Sequence, residues 1–260
     1  MKDLCVRHKG NKLYFNFLKW DTEFFGVKAY ALNINKSKIL SCDASLKKLL
    51  LEAFPKVSFI TAKLPGDASP ETIGLFLGHL GFKYIDTAAM LLLKRKVFPG
   101  ILCGFEYPTK ICVKKIEKNR GLPYSELGSA FRFTRFHRDS RIGIKKANQL
   151  WIEFIKNFTP NQRNHMFIAQ INNKVVGVAL LQENNGGKGK IAELCFLSVI
   201  KGYQGRGVGS GLIKEARTWC LKKGVDMLAG TQLKNIKALN FYLQNGFLVK
   251  SIAIVMHKWI

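Results

Sequence analysis

The sequence predicts an α/β protein whose mixed, partly antiparallel sheet is flanked by helices. Its 260 residues are 47% hydrophobic, which provides a core for one large domain or two small ones. In the first hundred residues, short apolar stretches alternate with segments of helical periodicity, as expected for strands that alternate with helices. Farther along, several strand-like stretches lead into a glycine-rich loop and an amphipathic helix.

Apolar spacing predicts the elements of the first part of the chain in order. They are strands over 13–20 and 28–34, a helix over 45–54, a strand over 57–63, a helix over 70–81 and a strand over 82–94. Proline and glycine residues then predict a linker at residues 99–107. The linker separates a smaller N-terminal domain, residues 1–98, from a C-terminal domain, residues 108–260.

The second part of the chain contains more strands. The predicted order is a strand over 110–117, a helical region over 125–137, a helix over 145–158, strands over 166–171, 174–182 and 190–200, a helix from about 210, a strand over 225–230 and a helix from 235 to about 245. Asn172 and Asn173 predict a tight hairpin turn, because asparagine tolerates the positive φ that such a turn needs.

Charge and cysteine content narrow the function classes. The net charge of +25 favours anionic partners such as nucleic acid, phospholipid or phosphorylated small molecules, unless most lysines only cover solvated faces. The six cysteines form no CxxC pair and the histidines do not cluster with them, so no metal site is predicted. Apolar stretches reach only about ten residues, half of a membrane span. We therefore expect a cytoplasmic protein without a membrane partner.

The glycine-rich loop is the most informative segment. Glycines at 202, 205, 207 and 209 separate a predicted strand from a predicted helix. Backbone amides from Gly205 to Gly209, at a helix N-terminus, would converge on an anion such as a diphosphate. The spacings of a dinucleotide fingerprint and of a P-loop both fail here. An ordinary tight turn between strand and helix is the alternative interpretation.

A second pattern lies on the helix that follows. Tyr242 comes seven residues after Asn235, two helical turns on, and Ala238 lies between them on the same face. Ile236, Leu239 and Leu243 are predicted to form the packed side of this helix.

Together the two patterns resemble the coenzyme motifs of the GNAT acyltransferases. Gln204-x-x-Gly207-x-Gly209, after Leu197-x-Val199, resembles the first motif, and Asn235-x-x-Ala238-x-x-Phe241-Tyr242 resembles the second. The resemblance implies a GNAT fold in the C-terminal domain and a partial GNAT-like fold in the N-terminal one. It implies transfer of an acetyl group from acetyl-CoA, as cosubstrate, to a primary amine.

The resemblance also implies a role for each motif residue. Backbone amides of Leu197 and Val199 would pair with the pantetheine arm, and one would polarise the thioester carbonyl. The pyrophosphate would be held by Gln204, Gly205, Arg206, Gly207, Val208 and Gly209. Asn235 and Ala238 would contact the pantetheine region, and Tyr242 would protonate the leaving thiolate as general acid. Lys201 departs from the family pattern, which often has proline there.

Three further segments are similar to those of dTDP-fucosamine acetyltransferases. They are Trp20-Asp21-x-Glu23-Phe24-Phe25-Gly26, the Arg135–Ile142 segment, and Leu80-Gly81-Phe82 followed by Asp86. The similarity implies a nucleotide-linked 4-amino-4,6-dideoxy sugar as acceptor, with Asp86 as general base.

The same residues suit such an acceptor chemically. The basic side chains Arg135, His137, Arg138 and Arg141 could hold a second diphosphate, and Phe24 could stack on a base or sugar. Core packing for the aromatic residues, a solvated helix end for the arginines and a surface carboxylate for Asp86 remain alternatives.

Two other functions stay open at this point. Within the GNAT fold, the acceptor could be a protein N-terminus, a lysine or another small amine. A basic nucleic-acid-binding protein would explain the charge, but it would leave both coenzyme motifs unexplained and no nucleic-acid recognition motif is visible. A strongly basic enzyme favours an anionic acceptor over a basic peptide. A homodimer is expected from the resemblance alone.

Overall fold

A computed structural model of the chain describes residues 2–8, 11–33, 44–65, 70–95, 111–186 and 189–260. The chain divides into two compact units, Met1–Ala88 with Ser251–Ile260, and Ala89–Lys250. It passes from the first unit to the second within strand β5, Lys83–Leu93, and returns within strand β11, Leu248–Trp259.

The first unit is built on a mixed sheet. Its strands are β1 (Leu4–His8), β2 (Asn11–Phe17), β3 (Ala29–Leu32), β4 (Phe59–Pro65) and the end of β11, in the order β1-β2-β3-β4-β11. All neighbouring pairs are antiparallel except β3 and β4, which are parallel. The helices are α1 (Lys19–Phe25), α2 (Ala44–Ala53) and α3 (Pro70–His79), and a 3₁₀ turn spans Phe54–Lys56.

The second unit has a larger meander. Its strands β6 (Cys112–Ile116), β7 (Asn164–Ile171), β8 (Lys174–Gly186), β9 (Gly189–Val199) and β10 (Asp226–Gln232) lie in the order β10-β9-β8-β7-β6. Among these five strands, β9 and β10 are parallel and the other neighbouring pairs are antiparallel. The helices of the described part of this unit are α4 (Tyr124–Ser129), α5 (Arg135–Arg138), α6 (Ile144–Asn157), α7 (Val208–Lys223) and α8 (Ile236–Gln244).

Alternate side chains along the strands of the second unit belong to two different hydrophobic cores. In β7, Phe167 and Ala169 pack in a cluster with residues of α7 and α8, whereas Met166 and Ile168 pack in a cluster with residues of α4 and α6. Neighbouring residues of a strand point to opposite faces of a sheet. The second unit is therefore a sheet covered by α7 and α8 on one face and by α4 and α6 on the other.

The α/β class with a mixed sheet is confirmed. The Asn172-Asn173 turn is confirmed as well, since these residues have φ values of 48° and 62°. Among the described residues, no helix combines the length and the hydropathy that a membrane span needs.

The predicted linker at 99–107 lies outside the described residues. The compact units also divide the chain differently from the predicted domains, because residues 253–259 of β11 pair with β4 in the first unit. Strand β11 and helix α1 were not predicted. Leu13–Trp20 was expected to be one strand, but β2 ends at Phe17 and α1 begins at Lys19.

Helices α4 and α6 approach each other closely at Gly128. A Cβ atom at this position would lie 2.8 Å from the backbone nitrogen of Ile152 and 2.9 Å from its Cα. Alanine is normally better than glycine in a helix by about 1 kcal/mol, but overpacking costs about 1–3 kcal/mol. We predict that Gly128→Ala lowers the urea midpoint of unfolding, measured by circular dichroism.

Gly78→Ala is the matched control, because a Cβ atom at this position of α3 meets nothing within 4 Å. It should leave the midpoint unchanged or raise it slightly. A Gly128→Ala midpoint equal to or above that of the wild type would contradict the close approach of the two helices.

Candidate functional site

The parallel strands β9 and β10 separate partway along their length. They pair from Ile191 with Asp226 to Leu194 with Ala229, and no farther. Strand β9 nevertheless continues to Val199, and β10 continues to Gln232. The two strands therefore diverge after Leu194, and the last part of β9 has one edge that β10 does not cover.

A β-bulge lies at the point of divergence. Leu194 is opposite Leu181 on β8 and Phe196 is opposite Leu180, which leaves Cys195 without a partner residue in the ladder. The Cys195 thiol donates to the carbonyl of Leu180, with 3.2 Å between sulfur and oxygen. A bulge increases strand twist and re-aims the residues that follow.

Beyond the bulge, the backbone directions of β9 follow from two hydrogen bonds. The Ile200 amide donates to the carbonyl of Val176, near the beginning of β8. Because amides alternate between the two edges of a strand, the amides of Leu197 and Val199 point away from β8, to the side that β10 has left. The Val199 carbonyl also faces that side, where it accepts a 2.9 Å hydrogen bond from Gln204 Nε2. Leu197 and Val199 thus present backbone groups at the opening, and their contact with pantetheine stays a prediction.

The glycine loop follows directly. Gly202, Gly205 and Gly207 have φ values of 92°, 73° and 81°, in the left-handed region that favours glycine. Gly207 is the N-cap of α7 and provides no side-chain cap. The amides of Val208, Gly209 and Ser210 lie in the first turn, where a helix has no carbonyl of its own to offer them. The start of α7 is therefore suited to an anion.

The two sequence motifs meet at Gly209. A Cβ atom there would lie 3.1 Å from the Phe241 ring, so α7 and α8 approach each other closely at this point. Arg206 is exposed, and its guanidinium lies 5.7 Å from the centre of the Tyr203 ring. The Gln204 side chain donates to the Val199 carbonyl at the end of β9. Its predicted contact with phosphate stays a prediction.

Helix α8 positions Tyr242 and Asn235. Asn235 caps the helix, since its Oδ1 accepts from the Ala238 amide at 3.2 Å. The Tyr242 ring is buried against Phe241 and Phe247, with ring centres 5.3 Å and 5.2 Å away. Burial raises the pKa of Tyr242 well above its usual value. The phenol therefore stays protonated at neutral pH and can act as a proton donor but not as a base.

The predicted packed side of α8 is only partly right. Leu239 packs against the core, but Ile236 and Leu243 are 58% and 42% exposed. The face of α8 that packs runs through Ala238, Leu239, Phe241 and Tyr242. Because Tyr242 belongs to the buried face, the packed side lies farther around the helix than the aliphatic residues alone suggest.

The basic segment between α4 and α6 contains the predicted acceptor arginines. Arg135 and Arg138 are one turn apart on α5, Arg138 and Arg141 are exposed, and the Arg135 guanidinium lies 4.4 Å from the centre of the Phe136 ring. The Asp139 carboxylate is buried and accepts from the backbone amide of Arg141. The structure therefore brings three of the predicted cations into one short segment.

His137 differs from these arginines. Its Nδ1 lies 2.8 Å from Thr134 Oγ1, and its Nε2 lies 3.0 Å from Asn148 Oδ1 on α6. Both ring nitrogens are thus engaged within the protein, and a contact of His137 with the acceptor stays a prediction. Burial lowers the pKa of His137, the hydrogen bond with Asn148 raises it and the charge of Arg132 lowers it.

Phe24 and Asp86 lie in the first unit. Phe24 is half-buried in α1 and stacks on Trp20, with ring centres 6.3 Å apart. Asp86 on β5 is 1% exposed, and its Oδ1 accepts from the Thr87 amide at 2.8 Å. Asp86 is therefore buried, whereas the alternative interpretation made it a surface carboxylate. The roles of both residues stay predictions.

Sequence reasoning missed residues that support the site. Ser198, between Leu197 and Val199, is buried and donates to the Leu127 carbonyl at 2.7 Å, which ties β9 to α4. Thr134 and Asn148, which hold His137, were missed as well. A threonine just before a helix is an N-cap signal that could have identified Thr134. Within the described ranges, no group of three or more His, Cys, Asp or Glu side chains is placed to hold a metal ion.

Comparisons with known proteins agree with this geometry. Residues 131–247 match the model of the acetyltransferase (GNAT) family. No curated protein matches the chain in sequence.

Solved structures resemble the chain over nearly its whole length. A GCN5-related N-acetyltransferase from Kribbella flavida has a TM-score of 0.63 and 14% identity, with 99% of this chain and 90% of that one covered. One from Sphaerobacter thermophilus has a TM-score of 0.60 and 14% identity, with 95% and 76% covered. A functionally unknown protein from Staphylococcus epidermidis ATCC 12228 has a TM-score of 0.60 and 12% identity, with 99% and 94% covered. At these identities the likeness shows the fold.

Cys195 gives a test of the bulge. Burial, and then the charge of Glu193, raise the pKa of its thiol to about 12. Because the thiolate is the reactive form, we predict that iodoacetamide at pH 8 leaves Cys195 unmodified in the folded protein. Exposed Cys5 and Cys112 are the internal controls and should be labelled. Peptide mass spectrometry measures each site, and labelling of Cys195 as fast as Cys112 would contradict the buried, hydrogen-bonded thiol.

Proposed function

Because residues 131–247 match the model of the acetyltransferase (GNAT) family, we propose that the enzyme acetylates the primary amine of a nucleotide-linked amino sugar, with acetyl-CoA as donor. The acceptor we favour is a dTDP-type 4-amino-4,6-dideoxy sugar. The observation that carries the coenzyme part is the divergence of β9 from β10 after Leu194. The basic segment at α5 supports the acceptor part.

The open edge of β9 suits the pantetheine arm. Pantetheine contains two amides in an extended chain, which can pair with backbone groups as an added strand would. The amides of Leu197 and Val199 are the donors on that edge. A donor held rigidly near the thioester oxygen stabilises the developing oxyanion, a contribution of about 3 kcal/mol in well-studied enzymes.

The phosphates of the coenzyme suit the start of α7. Three first-turn amides, a left-handed N-cap at Gly207 and the positive end of the helix dipole all favour an anion there. Arg206 and Lys201 are exposed cations in the same loop. The family often has proline at the position of Lys201. Lysine makes the loop less rigid there but adds a positive charge beside the phosphates.

Tyr242 is the proposed general acid. Burial raises the pKa of Tyr242, so the phenol carries its proton at neutral pH. Its O–H can then donate to the sulfur as the C–S bond of the thioester breaks. In the same helix, the cap at Asn235 uses only the Oδ1 atom toward Ala238. The Nδ2 group of Asn235 then serves as a donor to the pantetheine.

Direct transfer is favoured over a covalent acyl-enzyme at Cys195. Its thiol is protonated at neutral pH, since burial raises its pKa to about 12, and its hydrogen is directed to Leu180. A nucleophilic cysteine needs the opposite, a lowered pKa. The incoming amine would attack the thioester directly.

The acceptor assignment rests on charge. The segment of seven residues from 135 to 141 carries three arginines, Arg135, Arg138 and Arg141. It also contains the buried Asp139. Guanidinium groups bind phosphate through paired hydrogen bonds, so a diphosphate between nucleoside and sugar is a suitable ligand. A net charge of +25 disfavours a basic peptide as acceptor.

A thiol-release assay tests the function. The full chain is incubated with acetyl-CoA and one of four acceptors: a dTDP-linked and a UDP-linked 4-amino-4,6-dideoxy sugar, the free amino sugar, and a lysine-containing peptide. We expect release of CoA with a nucleotide-linked sugar and an acetylated product in the mass spectrum. Turnover of only the peptide or the free sugar would overturn the acceptor assignment and leave the acetyltransferase activity in place.

Gly207 tests the phosphate site. We predict that Gly207→Val raises the Kd for acetyl-CoA at least tenfold, because forcing a β-branched residue to φ +81° costs about 1–3 kcal/mol. Gly207→Asn is the matched variant and should stay within about threefold of wild type, since asparagine tolerates that φ. Titration calorimetry measures both values. Wild-type affinity in Gly207→Val would exclude this loop as the phosphate site.

Tyr242 tests the chemistry. We predict that Tyr242→Phe lowers kcat about 100-fold, as expected for loss of a general acid, and changes the KM for acetyl-CoA by less than about twofold, because the ring and its packing remain. Tyr124→Phe, which removes a hydroxyl bonded to Asn119, is the control and should keep wild-type kcat. An unchanged kcat in Tyr242→Phe would remove this residue from the mechanism.

A further inference from the structure

The contacts of Thr134 leave only one arrangement of hydrogen atoms around His137. Thr134 Oγ1 accepts from the His137 amide at 3.4 Å and from Trp151 Nε1 at 3.4 Å. A hydroxyl has two acceptor positions and one donor. Its hydrogen therefore goes to the third neighbour, His137 Nδ1, at 2.8 Å.

The other ring nitrogen completes the network. With Nδ1 accepting, His137 is neutral and carries its proton on Nε2, which donates to Asn148 Oδ1 at 3.0 Å. Protonation of Nδ1 would place two donors against each other, because Thr134 has no acceptor position left. Burial, which lowers the pKa of His137, acts in the same direction and keeps the ring neutral.

This network determines where α5 lies. The helix has only four residues, Arg135–Arg138, too few to be stable alone. His137 joins it to α6 through Asn148, and Thr134 joins its N-terminus to Trp151. Phe136 is the buried residue of α5, and its ring centre lies 6.2 Å from that of Trp151. The positions of Arg135 and Arg138 therefore depend on the side chains that surround His137.

We propose that His137 is a positioning residue for acceptor binding: the Thr134–His137–Asn148–Trp151 network holds α5 so that Arg135 and Arg138 can bind the diphosphate of the acceptor. The inference rests on the proposed function for its ligand, and it adds the residues that control acceptor affinity without contacting the acceptor. Thr134 and Asn148 do not belong to the coenzyme loop. Loss of the network should therefore weaken binding of the acceptor and leave binding of acetyl-CoA unchanged.

The test uses dTDP as the probe and acetyl-CoA as the reference ligand. Thr134→Val removes the hydroxyl but keeps the shape of the side chain, and Thr134→Ser keeps the hydroxyl. We expect Thr134→Val to raise the Kd for dTDP about tenfold, a loss of about 1.4 kcal/mol, with the Kd for acetyl-CoA unchanged within about twofold. Thr134→Ser should restore most of the dTDP affinity. Thr159→Val, at an exposed threonine beyond α6, controls for hydroxyl loss as such.

A second variant covers the case in which Thr134→Val unfolds. Asn148→Ala removes only the partner of Nε2, at a half-buried position, and should raise the Kd for dTDP about threefold, in line with one lost hydrogen bond. Nitrogen NMR of the wild-type imidazole should show a neutral ring with the proton on Nε2. A charged ring at pH 7, or the Nδ1–H form, would overturn the proposed network.

The outcomes separate this inference from the function on which it rests. If wild-type protein binds dTDP and Thr134→Val binds it equally well, the positioning role is wrong and the acceptor assignment stands. If wild-type protein does not bind dTDP, the acceptor assignment fails and the positioning role fails with it. Equal losses for dTDP and acetyl-CoA would mean general destabilisation, which also overturns the proposal.

Discussion

The separation of two parallel strands is the constraint on which the second unit depends. While β9 and β10 pair, from Ile191 to Leu194, each satisfies the backbone groups of the other. Beyond that point β9 keeps one neighbour, β8, and its other edge needs hydrogen-bond partners of another kind. The bulge at Cys195 coincides with this change, and the Leu180 carbonyl is kept occupied by the thiol. In the proposed complex, the extended amide chain of the coenzyme would provide these partners.

The segments beside that edge are held in place by contacts that leave the amides of Leu197 and Val199 unused. The Ser198 hydroxyl donates to the Leu127 carbonyl and so joins β9 to α4. The Gln204 side chain donates to the Val199 carbonyl at the end of β9. Gly209 lets the start of α7 approach Phe241. Tyr242 is buried in the same core as the residues that support α7. An edge strand without such supports is prone to pair with another chain. Here the loop and the two helices restrict access to it.

The sequence predicted the parts of this site that depend on local backbone chemistry. The glycines with positive φ and the Asn172-Asn173 turn could each be predicted from residue type and spacing, because few residues tolerate those conformations. The cap at Asn235 was not predicted, although asparagine is a common N-cap residue. The sequence did not predict β11, or the packed face of α8, because strand pairing between distant segments and the burial of an aromatic residue such as Tyr242 depend on tertiary contacts. The contacts of the His137 ring could not be predicted for the same reason: arginines lie near it in sequence, whereas its ring contacts Asn148, eleven residues away.

Under the proposed function, the two substrates make different demands on the protein. A coenzyme that binds along a strand edge needs backbone groups, which the fold provides whatever the side chains are. An acceptor recognised by its charge needs side chains, and long arginines must be held by their neighbours before they can discriminate. The first demand accounts for the short motifs in β9, α7 and α8. The second accounts for the buried polar network around His137, where a neutral ring, a hydroxyl and an amide fix a four-residue helix. Specificity for the acceptor can therefore change through α5 and α6 while the edge of β9 stays as it is.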